Sequence, residues 1–110
     1  MQMLAPLAFP TSPSVATLRQ WSVLQVIDDD GSVVRLASGM ISETRMRLTS
    51  QIEQFEGGQI LTKSGSIYTL EGQPATPEQF DAQRTRREAL LAGRDATDVT
   101  GEYAQQLHHP

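Results

Sequence analysis

Lys63, Ser64 and Ser66, in the stretch QILTKSGSIYTLEG, hold the ingredients of a Ser–Lys dyad. A lysine serves as a base only where its surroundings lower its pKa. Here Lys63 and Ser66 flank a tight turn open to water, and neither an oxyanion donor nor a cleft is indicated. The hydroxyls and the lysine therefore read as turn chemistry. His108 and His109 could bind a metal, but adjacent residues in an unstructured tail hold no geometry. No third histidine and no cysteine complete a ligand set. Asp28-Asp29-Asp30-Gly31 lacks the spaced acidic ligands and the closing glutamate of a calcium loop, and also reads as a turn. The expectation is a protein without catalytic residues, metal or cofactor.

The arginines are the remaining candidates. Arg84, Arg86 and Arg87 form a basic cluster on an expected helix, and Arg45 and Arg47 fall on the outer face of an expected strand. These five are taken as the candidate partner-binding residues. Glu78, Asp81, Glu88 and Asp95 dilute the positive field of the helical cluster, which counts against nucleic acid. Arg35, Arg45 and Arg47 beside Tyr68 could instead form a nucleic-acid platform. Tyr68, however, is assigned to the core face.

The elements that must position these residues are small. A chain of 110 residues with 38% apolar residues, one Trp, two Tyr and three Phe makes one domain at most. A net charge of −4 argues against general binding to a phosphate backbone and leaves open an acidic surface for a basic partner. The lack of cysteine excludes disulfides and thiolate chemistry and fits a reducing compartment. No apolar run approaches the roughly 20 residues that span a bilayer. The opening MQMLAPLAFPTSPSVATL lacks a basic n-region and is broken by Pro6, Pro10 and Pro13, so a signal peptide is not expected. The expected location is the cytoplasm.

Residues 1–16 read as an extended, proline-rich arm. From Trp21 the period becomes two: Trp21, Val23, Gln25 and Ile27 share one face, Leu24 and Val26 the other. A two-residue turn at Asp30-Gly31 would set Ile27 opposite Val34 and Gln25 opposite Leu36. Residues 39–56 read either as strand, with Met40, Met46 and Leu48 inward and Glu43, Arg45 and Arg47 outward, or, over 43–56, as a helix. The clean alternation over Thr44–Thr49 favours strand. Gly57-Gly58 would bring Phe55 opposite Ile60. Ser64-Gly65 would pair Leu61 with Tyr68 and Ile60 with Thr69, putting Leu61, Tyr68 and Leu70 on one face. Thr76-Pro77-Glu78-Gln79 carries the signature of a helix start, and the helix is expected over 77–92 with Gly93 beyond its end. Residues 94–110 are expected as a short helix or flexible tail.

The pattern Thr49-Ser50 with Ile52 and Phe55, followed by a T-x-S-G-x-x-Y-x-L-x-G run from Thr62 to Gly72, resembles uncharacterised small proteins of proteobacteria and their prophages or mobile elements. Gln51 stands where that pattern has proline. The resemblance implies a bacterial or phage-related context and a β-rich core, and brings no catalytic or ligand residue with it. The chain is thus expected to be α+β: a domain of residues 17–93 built on a small antiparallel meander over 20–71, curled or barrel-like, with one C-terminal helix and an extended N-terminal arm. The expected function is non-enzymatic binding of another protein, as an accessory or inhibitory factor. The alternative is a small nucleic-acid-binding regulator.

Overall fold

Strand β1 (Ala16–Ile27) is the axis of the computed structural model, which describes residues 16–107. Leu18, Trp21 and Val23 lie on one face of it and Leu24 and Val26 on the other, none more than 2% exposed. A strand buried on both faces needs cover on both sides, and the rest of the chain supplies it. The elements that follow are β2 (Val33–Met40), β3 (Met46–Leu48), β4 (Ile52–Glu56), β5 (Gln59–Thr62) and β6 (Ile67–Pro74). Then come α1 (Pro77–Ala82), α2 (Arg84–Leu91), β7 (Ala96–Asp98) and α3 (Thr100–Leu107). The expected N-terminal arm, like His108 and His109, lies outside the described residues up to its last position.

The strand order is β3-β2-β1-β6-β5-β4, with β7 continuing beside the second half of β1. The expected α+β class and curled sheet with a C-terminal helix are present, and the sheet is not closed. It is mixed rather than a pure meander, because β1 runs parallel to β6 while its other pairings are antiparallel. β3 and β4 end the order on opposite sides, yet only residues 49–51 join them. The sheet therefore bends until its two ends are neighbours. Thr49 holds that bend, its N–H donating to the Ala37 carbonyl (2.8 Å) and its hydroxyl accepting from the Ala37 N–H (3.0 Å). Residues 43–56 are accordingly strand rather than helix where they are regular.

Inside the bend, Leu18, Trp21, Val23, Ala37, Ile60, Tyr68 and Leu70 form the main core, which α3 covers through Tyr103 and Ala104. Burying Trp21 alone contributes about 4–6 kcal/mol of gross apolar transfer. Its indole N–H donates to the Gly72 carbonyl at 3.2 Å. On the convex face Leu24, Val26, Leu36 and Leu91 form a second cluster, flanked by Val34, Leu48 and Phe80. This is where α1 and α2 lie.

Two expected registers are off by one residue, for the same reason. Asp28 N–H donates to the Ser32 carbonyl and Gly31 N–H to the Asp28 carbonyl. Thr62 and Ser66 repeat the first bond and Gly65 and Thr62 the second. Each loop is a type I turn followed by a left-handed residue, with Gly31 at φ 87° and Gly65 at φ 89°. One more residue per loop sets Ile27 against Val33 and Gln25 against Arg35. It likewise sets Ile60 against Tyr68 and Leu61 against Ile67. Val34 and Leu36 thus join Val26 and Leu24 on the convex face, and Ile60, not Leu61, joins Tyr68 and Leu70 inside. The Gly57-Gly58 turn does bring Phe55 opposite Ile60.

β1 itself is irregular. Arg19 pairs with Met40 and Ser22 with Ser38, so Gln20 and Trp21 together stand opposite Gly39. Gln20 has φ 48°. A Cβ on Gly39 would sit 2.9 Å from Leu18 Cβ, so only glycine fits there without displacement.

The expected helix start is present. Thr76 Oγ1 accepts from the Gln79 N–H (3.1 Å), Gln79 Oε1 accepts from the Thr76 N–H (3.0 Å), and Pro77 opens the helix. The helix is two segments meeting at Gln83 rather than one. The expected short helix after residue 94 is α3, preceded by a seventh strand that the periodicity does not announce.

Candidate functional site

The buried Gln83 side chain donates from Nε2 to the Gln20 carbonyl at 3.1 Å, which clamps the junction of α1 and α2 onto the irregular point of β1. From that anchor Phe80, Arg87 and Leu91 descend one helical stripe toward Leu24. Arg87 is 7% exposed. Its guanidinium carbon lies 3.6 Å from the centre of the Phe80 ring, and its Nη1 donates to the Phe80 carbonyl at 2.8 Å. Burial pulls its pKa below the ordinary arginine value, with Glu88, Asp98 and Asp81 acting in the opposite sense. An arginine so placed still keeps its charge at neutral pH.

Ala92, at φ 54°, ends α2. The Arg94 side chain folds back to donate to the Leu91 carbonyl at 2.8 Å and the Leu90 carbonyl at 3.3 Å, satisfying the open end of the helix. The chain then turns into β7. Between α2 and β7 lies a groove of ≈ 460 Å³, floored by Leu24, Phe80 and Leu91 and edged by Arg87, Glu88 and Asp95.

The β7 wall of this groove has a defined polarity. Ile27 N–H donates to the Asp95 carbonyl and Val99 N–H to the Val23 carbonyl, so Asp95, Thr97 and Val99 turn their backbone groups toward β1. The N–H and C=O of Ala96 and Asp98 consequently point the other way. Among the described residues β7 has β1 as its one strand neighbour, so that edge is open. The Asp98 carboxylate is itself engaged, accepting from the Thr100 N–H at 2.9 Å at the start of α3.

The five candidate arginines do not gather into one patch. Arg47 turns inward rather than outward and donates to the Tyr68 hydroxyl at 3.3 Å, on the face opposite the one that holds Arg87. Arg45 and Arg86 are exposed. Arg84 is exposed and pairs with Asp81 within the helices. Arg35 fastens α3, donating to Glu102 Oε1 at 2.8 Å and lying 5.7 Å from the Tyr103 ring centre. Its pKa is raised by the Tyr103 hydroxyl and by Glu102. Ser64 Oγ lies 3.1 Å from both Ser50 Oγ and Thr62 Oγ1 and 3.5 Å from Ser66 Oγ. Lys63 is exposed beside that hydroxyl cluster, which ties the hairpin to the preceding loop. Among the described residues no group of three or more His, Cys, Asp or Glu is placed to hold a metal ion. No helix among them is long and apolar enough to cross a membrane.

Of the groove, helical spacing in the sequence puts Phe80, Leu91 and the stem of Arg87 along one side, together with the stem of Arg84, which is exposed and outside the groove. The sequence misses Ala96 and Asp98, since a three-residue strand carries no measurable alternation. Compared with family models, curated proteins and solved structures, the chain matches none.

Proposed function

We propose that the protein is a non-enzymatic, cytoplasmic factor that binds another protein through the groove between α2 and β7. A role as an accessory or inhibitory factor of a bacterial mobile element or phage accords with the T-x-S-G-x-x-Y-x-L-x-G resemblance. The observation that carries the binding role is a concave surface with an apolar floor and a fixed cation, bordered by a strand whose outer edge is unpaired among the described residues. Nucleic-acid binding is less well supported. Arg84 is paired, Arg47 faces inward, and the net charge is −4.

Selection of short peptides from a displayed random library on the purified protein tests the reading. Ala96 is exposed and lines the groove, so Ala96→Trp fills it without touching the core. Peptides enriched on the parent protein are expected to lose binding to Ala96→Trp, while the melting temperature stays the same. No enrichment, or enrichment indifferent to Ala96→Trp, would sink the proposal. A mobility shift of short DNA or RNA at low salt would favour the alternative.

A further inference from the structure

We infer that the partner of this groove is an extended peptide segment that adds to the free edge of β7 and places an acidic side chain on Arg87. This deepens the protein-binding reading above and rests on it.

Three observations converge. The first is the direction of the backbone at Ala96 and Asp98, whose donors and acceptors face away from β1 with no further strand beside them among the described residues. An added strand would satisfy them by the ladder geometry already used on the other side of β7. The second is alternation. Ala96 pairs with Val26 and Asp98 with Leu24, so both belong to the convex face that holds Phe80, Arg87 and Leu91. A strand laid along β7 sends every second side chain to that same face.

The third observation is the state of Arg87. A guanidinium has five N–H donors, and among the described residues Arg87 uses Nη1 on the Phe80 carbonyl. Its side chain lines the groove, and no second hydrogen bond engages it among the described residues. No carboxylate closes an ion pair with it among the described residues, whose salt bridges involve Arg19, Arg35 and Arg84. Glu88, Asp98 and Asp81 act on it through space without closing an ion pair. Arg94 caps α2, Asp98 holds Thr100, and Glu88 and Asp95 are exposed on the rim. An acidic side chain at one position of the added strand meets Arg87. An apolar one two residues away then lies toward Phe80 and Leu91.

The test uses the full chain and peptides recovered from the displayed library, followed by fluorescence anisotropy. Three versions of each peptide are compared: the parent, one with its Asp or Glu changed to Asn or Gln, and one N-methylated at alternate backbone nitrogens. Removing the carboxylate is expected to weaken binding by about tenfold or more, as for a charge-assisted hydrogen bond. N-methylation in the bonding register is expected to abolish it. Arg87→Met, which retains bulk over Phe80, should erase the difference between the acid and amide peptides. Ala96→Pro, which removes an outward N–H without touching the β1 ladder, should weaken all three. Equal binding of acid and amide peptides, or indifference to N-methylation, overturns this inference while leaving the protein-binding reading intact. Failure of any peptide to bind overturns both.

Discussion

Gly39→Ala should destabilise this protein by steric overlap alone. Gly39 is not among the residues with positive φ, so alanine meets no backbone penalty there. The new methyl would lie 2.9 Å from Leu18 Cβ, 3.1 Å from the Arg19 carbonyl oxygen and 3.4 Å from Trp21 Cα. Carbon atoms rest about 3.5–4.0 Å apart, and the nearest obstacle is a Cβ, which cannot rotate away. Either β2 lifts from β1 by several tenths of an ångström or the Gln20–Trp21 irregularity is lost. Overpacking of this kind costs about 1–3 kcal/mol. At about 4 °C per kcal/mol for a domain near this length, the melting temperature should fall by about 4–12 °C. Thermal unfolding followed by far-UV circular dichroism and by fluorescence of the buried Trp21 gives the value directly. Gly101→Ala is the matched control: a Cβ there meets nothing within 4 Å, and it lies at the start of α3. It should leave stability unchanged or raise it by up to about 1 kcal/mol. If Gly39→Ala melts with or above the parent protein, the close approach of β2 to β1 is not a constraint and the reasoning fails.

Thr76→Ala removes one half of the reciprocal cap at the start of α1 and should cost about 1 kcal/mol, read as a lower urea midpoint with an unchanged slope. Asp30 should titrate below the ordinary aspartate range, because the Ser32 hydroxyl and N–H both bond its carboxylate. Its contribution to stability is complete above the unfolded-state pKa and is lost as the pH falls through the lower folded-state value. Ser32→Ala should move the carboxyl resonance midpoint upward in an NMR titration, and no upward movement would refute the assignment. Tyr103→Ala removes the edge-to-face contact with Phe55 at 5.1 Å and a partner of Arg35. It should loosen α3, seen as faster amide exchange at Val23, whose N–H donates to Thr100 Oγ1.

What the sequence made legible depended on how local the cause was. Pro77 and the Thr76–Gln79 pair define the helix start within four residues, and the structure has it there. The Gly57-Gly58 turn was equally local, and its register matches. Asp30-Gly31 and Ser64-Gly65 were recognisable as turns, but two loop lengths suit such a dipeptide. The longer one places glycine at the left-handed position after a type I turn and shifts the register by one. Asp28 and Thr62 at the first turn position were the available signal, since their loops close on Ser32 and Ser66. The parallel pairing of β1 with β6 and the docking of β7 had no local signature at all, because they join segments far apart in the chain. Ala96 and Asp98 were hidden for that reason. Arg87 was noticed as a charge, but its stacking on Phe80 depends on which helical face meets the sheet.

The placement of β1 also orders events in time. Its first described residues wait for β6, with Arg19 meeting Glu71 across a separation of 52 residues, and Val23 waits for Thr100 across 77. During synthesis β1 and β2 can zip together early, since a short loop joins them. The pair then carries Leu18, Trp21, Leu24 and Val26 uncovered until almost the whole domain has been made. Distant pairings of this kind slow folding, because chain closure must precede the contacts that reward it. A ribosome-bound chain truncated before β6 should therefore expose a sticky hairpin, and the first of the described strands is the last to be completed.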